Sequence, residues 1–303
     1  MTRDDALAGF ALREPAPAKI NLALHVTGQR ADGYHLLDSL VTFTRFGDRI
    51  GASPAEVDAF SLSGPFAGSL SEAGDNLVVR ARDLLREAVV AAGSDAPPVH
   101  IHLEKNMPVA SGIGGGSADA AATLRCLARL WDVRSVDLAA LGLRLGADVP
   151  MCILSRPLVA RGIGEALTSV FGLPAFALVL ANPLTGVATP AIFKALQSKE
   201  NAPLDLAAAP ADENAWIAVI ERARNDLAAP ARALCPEIAD IETALMATGA
   251  RVVRMSGSGA TCFGLYRDPD EAERAAAALA ARHPGWFIQA TTSFSGGTDV
   301  TDR

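Results

Sequence analysis

Apolar and polar residues alternate from Lys19 to Val26. Ile20, Leu22, Leu24 and Val26 fall on one side, and Lys19, Asn21 and His25 on the other. A period of two is that of a half-buried strand. The residues up to Pro17 show no period, and Pro15 and Pro17 argue against a helix, so they read as a loose lead-in. Gly28 to His35 is polar and reads as a loop; Leu36 to Phe46 reads as another strand, and Gly51 to Gly74 as turns with short strands. Helical spacing then appears in Leu77, Val78, Ala81, Leu84, Leu85 and Val89, with Asp75 as the expected cap. Val99 to Leu103 alternates again. A glycine-rich loop runs from Asn106 to Gly116, and a helix is expected from Ser117 to about Trp131. Ser135 is expected to cap a further helix that ends at Gly146 as a left-handed residue.

The second half continues the mixture. Phe176 to Ala181 is a short apolar strand, and Thr189 and Pro190 read as N-cap and first residue of a helix. Gln197 to Asn214 has the composition of a surface insertion. Helices are expected at Ala215 to Leu227 and Glu237 to Thr248, a hairpin from Arg251 to Tyr266 turning at Gly257 and Gly259, and a last helix from Asp268 and Pro269. Short strands and a hairpin among helices favour an α+β class with mixed or antiparallel sheets over a doubly wound parallel one.

Half of the 303 residues are hydrophobic and a fifth are charged, so the chain is expected to fold. Its formal net charge of -7 and the lack of a basic stripe argue against nucleic acid as a partner. No apolar run reaches the roughly 20 residues that cross a bilayer, and the first residues, with Arg3, Asp4 and Asp5, do not read as a signal peptide. No membrane association and a cytoplasmic location are expected. Cys126, Cys152, Cys235 and Cys262 show no metal or redox spacing and read as buried free thiols. His100, His102 and Glu104 share a strand face without evident further ligands, and read as a polar face.

The most informative segment is Pro108-Val-Ala-Ser-Gly-Ile-Gly-Gly-Gly-Ser-Ala-Asp119. A strand feeds a loop holding Gly112, Gly114, Gly115 and Gly116, and a helix follows. Backbone without Cβ atoms admits a phosphate close to its N–H groups, and the helix start adds unpaired donors and a positive dipole end. Ser117 can cap the helix or reach a phosphate or Mg²⁺. The loop lacks the lysine of a Walker A sequence, has Ser117 where a dinucleotide fingerprint needs glycine, and has no protein-kinase motifs downstream. It is expected to bind anions in another way; the rival reading is that its glycines only permit tight packing.

That loop resembles the second motif of the family of galactokinase, homoserine kinase, mevalonate kinase and phosphomevalonate kinase. Pro17-Ala-Lys-Ile-Asn-Leu22 resembles the first motif and Met255-Ser-Gly-Ser-Gly-Ala-Thr261 the third, in the family's order. Relatives often carry other small residues, glycine included, at Ala110 and Ser111, and a second serine at Ala118. The resemblance implies a two-domain α+β small-molecule kinase with its active site in the interdomain cleft. The expected division is 1–159 for ATP and 160–286 for substrate, with 287–303 a candidate to complete the first. ATP is then the co-substrate and Mg²⁺ the expected metal, without a protein-only metal site. Thr27-Gly-Gln-Arg-Ala-Asp-Gly-Tyr-His35, Asp75-Asn-Leu-Val-Val-Arg-Ala81, Leu145-Gly-Ala-Asp-Val-Pro150, Thr189-Pro-Ala-Ile-Phe-Lys194 and Asn225-Asp-Leu227 narrow the likeness to members whose small-molecule substrate is a cytidyl diphosphate alcohol of isoprenoid synthesis.

By that resemblance Asp148 is the base that takes the proton of the substrate hydroxyl, and Lys19 is its partner and supports charge on the phosphoryl group. Asn21 is expected to hydrogen-bond the substrate, Tyr34, His35 and Phe193 to recognise the cytosine ring, and Thr189 to contact substrate or cap its helix. Asn76 and Lys105 are expected near the adenine and ribose, with Pro108, Gly112, Gly114, Gly115, Gly116 and Ser117 around the phosphates. Ser256, Gly257 and Gly259 close on the phosphates. Read on their own, Asp148 is a turn residue on extended chain, Lys19 an exposed strand lysine, Phe193 a core residue and Lys105 a solvated strand end. Homoserine or mevalonate kinase activity, or a non-catalytic nucleotide sensor, are the rival readings. A monomer or a homodimer fits equally.

Overall fold

The computed structural model describes residues 5–70, 76–206, 210 and 212–297. Its strands are β1 (Leu12–Gln29), β2 (His35–Pro54), β3 (Ala59–Ser63), β4 (Val99–Glu104) and β5 (Leu158–Gly162). They continue with β6 (Ala166–Ser169), β7 (Ala177–Asn182), β8 (Val252–Met255), β9 (Cys262–Tyr266) and β10 (Phe287–Thr292). The helices are α1 (Leu77–Ala91), α2 (Gly115–Leu130), α3 (Leu138–Leu145), α4 (Val149–Leu154) and α5 (Thr189–Lys194). After them come α6 (Glu213–Arg222), α7 (Ala228–Leu234), α8 (Glu237–Ala247) and α9 (Pro269–Arg282).

The chain divides into two compact units. One gathers Met1–Ala18, Gly47–Val109 and Gly114–Leu154; the other gathers Lys19–Phe46, Ala110–Ile113 and Ser155–Arg303. This partition differs from a cut after residue 159. The strands β1 and β2 are each long enough to serve both units, so the first unit is not one continuous stretch. Phe287–Thr292 pairs with β7 in the second unit, from Phe287↔Asn182 to Thr292↔Ala177, instead of completing the first.

In the first unit β4 runs antiparallel to the end of β2, from Arg49↔Glu104 to Pro54↔Val99, and β3 lies parallel on its other side. Helix α1 buries Val78, Ala81, Leu85 and Val89, the stripe expected from the spacing, and packs on α2. Every side chain of α2 from Ala118 to Leu124 is buried. Small residues, mostly alanine, permit that close approach. His100 and His102 form a polar strand face, bonded to Ser61 and Ser63 and packed under Phe10.

In the second unit the start of β2 pairs with β5, and β5 with β6. A separate antiparallel sheet has the order β10-β7-β9-β8. Its apolar face, with Val179, Ala181, Met255 and Cys262, packs with Ile238, Ile241 and Leu245 of α8 and Ala272, Ala275 and Leu279 of α9. The four cysteines are buried, and none forms a disulfide.

Several boundaries differ for local reasons. Pro15 and Pro17 lie inside β1. They are two residues apart, so both missing N–H groups fall on one side of the strand. Asp75 lies outside the described residues, and the cap of α1 is Asn76, whose side chain accepts from Val78 N. Asp137, not Ser135, caps α3 through Ala139 N and Ala140 N. Gly146 has φ 170°, an extended conformation open to any residue, and is not left-handed. Helix α5 begins at Thr189 after Ala188, so Thr189 is its first residue and not its cap.

Candidate active site

The glycine loop starts α2 earlier than its serine suggests. Gly114, at φ 70°, is the residue before the helix, and Gly115 and Gly116 form its first turn. The first helical bond runs from Ala118 N to Gly114 O at 2.8 Å. The N–H groups of Gly115, Gly116 and Ser117 therefore precede the helical ladder. Ser117 is the third helical residue and its hydroxyl makes no cap, which corrects the capping expectation. The arrangement leaves bare backbone at the positive end of a 16-residue helix, a favourable place for phosphate oxygens.

Beneath this turn lies a buried ion cluster. Lys105 Nζ donates to Asp48 Oδ2 at 2.5 Å and to Asp119 Oδ2 at 2.7 Å, and all three side chains are at most 4% exposed. Asp48 Oδ1 accepts from the backbone N–H groups of Asn106 and Met107. Burial works to lower the Lys105 ammonium, but Asp119 and Asp48 outweigh it and raise it. Burial, reinforced by Asp48, pushes the Asp119 carboxyl well above the usual carboxylate range against the pull of Lys105. The Lys105 backbone is also committed, its N–H to Ser63 O and its carbonyl to Phe66 N. The alternative of a solvated strand end is therefore wrong. The Lys105 ammonium faces inward, toward Asp48 and Asp119. A Cβ on Gly115 would stand 3.1 Å from Lys105 Nζ, so this glycine lets the helix start rest on the lysine. Asn76 spends its side-chain oxygen on α1, and Pro108 is buried just ahead of the loop.

Asp148 also belongs to the first unit. It is not on extended chain: its carbonyl accepts from Cys152 N, and α4 follows at once with Pro150 as its second residue, a position that needs no N–H. It is half-buried at that helix start.

The second unit brings the three motif segments together. Lys19 N donates to Ile113 O at 2.9 Å, Asn21 N to Ser256 Oγ at 3.1 Å, and Thr261 N to Ser111 O at 3.1 Å. Gly112 has φ 77°, and a Cβ there would meet Gly259 O at 2.5 Å. A Cβ on Gly257 would meet Gly112 O at 2.6 Å. The glycines of the second and third motifs are thus required by mutual backbone contact as well as by any ligand. Lys19 is only 6% exposed, so it is not an ordinary surface lysine.

On the same unit the His35 ring stacks on Phe193, with centroids 4.8 Å apart and planes at 26°. Phe193 packs against the core as well as against the histidine. Burial, with help from Lys199, lowers the His35 pKa, and its Nε2 is buried without a hydrogen bond. Tyr34 is 61% exposed beside it. The Thr189 hydroxyl meets Ser258 Oγ at 2.7 Å instead of capping α5. Two supports were not assigned a role from the sequence. Asn225 donates to Met255 O and Gly257 O, holding the third motif. Ser39 bonds the Asn21 side chain. The Asn225-Asp-Leu227 segment was a visible signal for the first; nothing in the local pattern marks Ser39.

Among the described residues no group of three or more His, Cys, Asp or Glu side chains could hold a metal ion. None of their helices is long and apolar enough to cross a membrane.

Comparison with known proteins bears on the family and the fold. The model of the GHMP kinases N terminal domain matches residues 76–156, and that of the GHMP kinases C terminal matches residues 200–285. A 4-diphosphocytidyl-2-C-methyl-D-erythritol kinase of Rhizobium leguminosarum bv. trifolii (strain WSM2304) is 62% identical over 291 residues, which is 95% of this chain and 97% of that protein. A crystal structure of 4-(cytidine 5'-diphospho)-2C-methyl-D-erythritol kinase is 37% identical with a TM-score of 0.80, covering 94% of this chain and 100% of the other. The homoserine kinase structure from Cytophaga hutchinsonii ATCC 33406, at 18% identity, has a TM-score of 0.67 over 94% of this chain and 96% of its own, and shares the fold. With its three motif segments meeting in one unit and its helix-start glycines in the other, the chain belongs to the GHMP kinase family.

Proposed function

We propose that the protein transfers the γ-phosphate of ATP to the 2-hydroxyl of 4-diphosphocytidyl-2-C-methyl-D-erythritol, a step in isoprenoid precursor synthesis outside the mevalonate route. The observation that carries the substrate choice is the His35–Phe193 ring pair with its buried, unpartnered Nε2. Stacked rings offer a face to a base, and an unspent ring nitrogen offers one specific hydrogen bond to its edge. Tyr34 supplies a further exposed ring, and Thr189 a hydroxyl at the start of the same short helix as Phe193. The relatives' names support the same reading.

Phosphoryl transfer asks chiefly for positioning and charge neutralisation. The free N–H groups at Gly115, Gly116 and Ser117 hold the nucleotide phosphates, with Gly112, Gly114 and Pro108 shaping the loop. Asn76 stands at the start of α1 toward the ribose, and Ser256, Gly257 and Gly259 bound the phosphates from the third motif. Mg²⁺ fits this chain as a companion of the ATP phosphates, with Ser117 as the available hydroxyl, since it keeps waters and needs few protein ligands; bound there, it neutralises charge on the transferred group. Asp148 accepts the hydroxyl proton, Lys19 supports the developing charge, and Asn21 orients the alcohol. Such an ATP-consuming biosynthetic step belongs in the cytoplasm.

The test is ADP release from ATP and Mg²⁺ with the cytidyl alcohol, homoserine or mevalonate as acceptor. Release that depends on the cytidyl alcohol alone is expected. Turnover only with another alcohol would remove the substrate assignment, and none with any would leave a nucleotide sensor.

A further inference from the structure

Asn21 is 4% exposed on β1. Its side-chain Nδ2 lies 2.8 Å from Ser39 Oγ, and Ser39 Oγ lies 2.6 Å from the carbonyl oxygen of Ala23. A carbonyl only accepts, so the single hydroxyl proton of Ser39 is committed to Ala23. Toward Asn21 the hydroxyl can then only accept, which draws the amide NH₂ to Ser39 and turns Oδ1 the other way. That oxygen is buried and makes no hydrogen bond. It stands beside the third motif: a Cβ on Gly257 would come within 3.4 Å of it. The backbone N–H of Asn21 is meanwhile tied to Ser256 Oγ at 3.1 Å, so the residue is fixed at both ends and only the sense of its amide is left to set.

We infer that Ser39 is a positioning residue that fixes the Asn21 amide so that an acceptor, and not a donor, faces the substrate. The inference rests on the proposed kinase function. An acceptor at this place attracts the O–H of an alcohol and repels phosphate oxygens. A turned amide would offer NH₂, which serves a phosphate oxygen as well as it serves a hydroxyl. Ser39 thereby separates the group to be phosphorylated from the phosphates already present on both substrates. A buried oxygen without a partner carries a desolvation penalty, and a substrate hydroxyl removes that penalty on binding, so the orientation contributes to selection of the alcohol.

The variant Ser39→Ala in the full chain removes the hydroxyl and frees the amide to turn. kcat/KM for the cytidyl alcohol is expected to fall about tenfold, the effect of one lost hydrogen bond of ordinary strength, while KM for ATP stays unchanged. In ¹⁵N-labelled protein without substrate, the Asn21 side-chain NH₂ protons are expected to exchange slowly in the wild type and faster in the variant. Unchanged kcat/KM, an equal loss toward both substrates, or unchanged amide exchange would each overturn the inference. If the wild-type protein turns over none of the cytidyl alcohol, the proposed function fails, and the amide exchange still decides whether Ser39 holds the orientation.

Discussion

Two residues are informative when changed one at a time, one for the chemistry and one for the backbone. Asp148 stands at the start of α4, half-buried, with its carbonyl engaged by Cys152 N. Replacing its side chain by asparagine keeps the shape and the backbone bond but removes the proton acceptor. A positioned general base contributes roughly 10²–10⁴-fold, so Asp148→Asn is expected to lower kcat by that order while substrate and ATP affinities stay near those of the wild type. Calorimetric binding beside steady-state rates checks it, and a variant turning over at the normal rate would remove Asp148 from the mechanism. Ala110 makes a different point. It has φ 52°, in the left-handed region that favours glycine. A left-handed alanine is strained by about 1 kcal/mol, partly offset by the wider freedom glycine enjoys when unfolded. Ala110→Gly is therefore expected to stabilise the protein by about 0.5 kcal/mol, read from the denaturation midpoint, and a loss of stability would show that the loop accommodates alanine without strain.

At the scale of elements, the start of α2 depends on what lies under it. Lys105 joins β4, the end of β2 through Asp48, and the second turn of α2 through Asp119. Removing the cation would leave two buried acidic side chains without their shared hydrogen-bond donor. Breaking a buried pair from one side costs about 3–5 kcal/mol, so Lys105→Met is expected to destabilise the fold by that amount in chemical denaturation. Adding Asp119→Asn to that variant should recover part of the loss, because one of the two crowded buried acids is gone; no recovery would mean that the three side chains do not act as a unit. This cluster also marks the limit of sequence reading. The strand of Lys19, the stripe of α1, the glycine loop and the hairpin around Gly257 were legible because periodicity and glycine are local signals. The inward turn of Lys105 was not, since its two partners stand 57 and 14 residues away in sequence. Strands β5, β6 and β10 were missed for a related reason: they are short, and their pairing partners define them more than their own patterns do. For the proposed site, the family resemblance pointed to Lys19, Asn21 and Asp148, whereas Ser39 could be found only from a hydrogen-bond chain.

At the scale of the whole molecule, stability should follow the histidines. Burial lowers the pKa of His25, His35 and His102 from the ordinary value of 6.5, with Arg224 adding to the effect at His25, Lys199 at His35 and His100 at His102. His25 shows why in atomic terms. Its Nε2 accepts from Arg224 N at 3.0 Å, so the proton sits on Nδ1, which faces Ala202 O at 3.1 Å. A second proton on the ring would break the first of these bonds. Well above pH 6.5 these rings are neutral in the folded and unfolded chain alike, and they leave stability unchanged. As pH falls below 6.5 the unfolded chain takes up protons that the folded chain refuses, so stability must fall through the interval down to the lowered folded values. The three groups lie in both compact units, His102 in the first and His25 and His35 in the second, so the decline should not be confined to one of them. Thermal unfolding at pH 8, 7, 6 and 5.5 is expected to give a plateau followed by a falling midpoint, with a shallower fall in His25→Gln, whose side chain cannot acquire the charge. A midpoint constant or rising down to pH 5.5 would mean that the folded protein accommodates the imidazolium forms, and the neutral, hydrogen-bonded state of His25 would have to be abandoned.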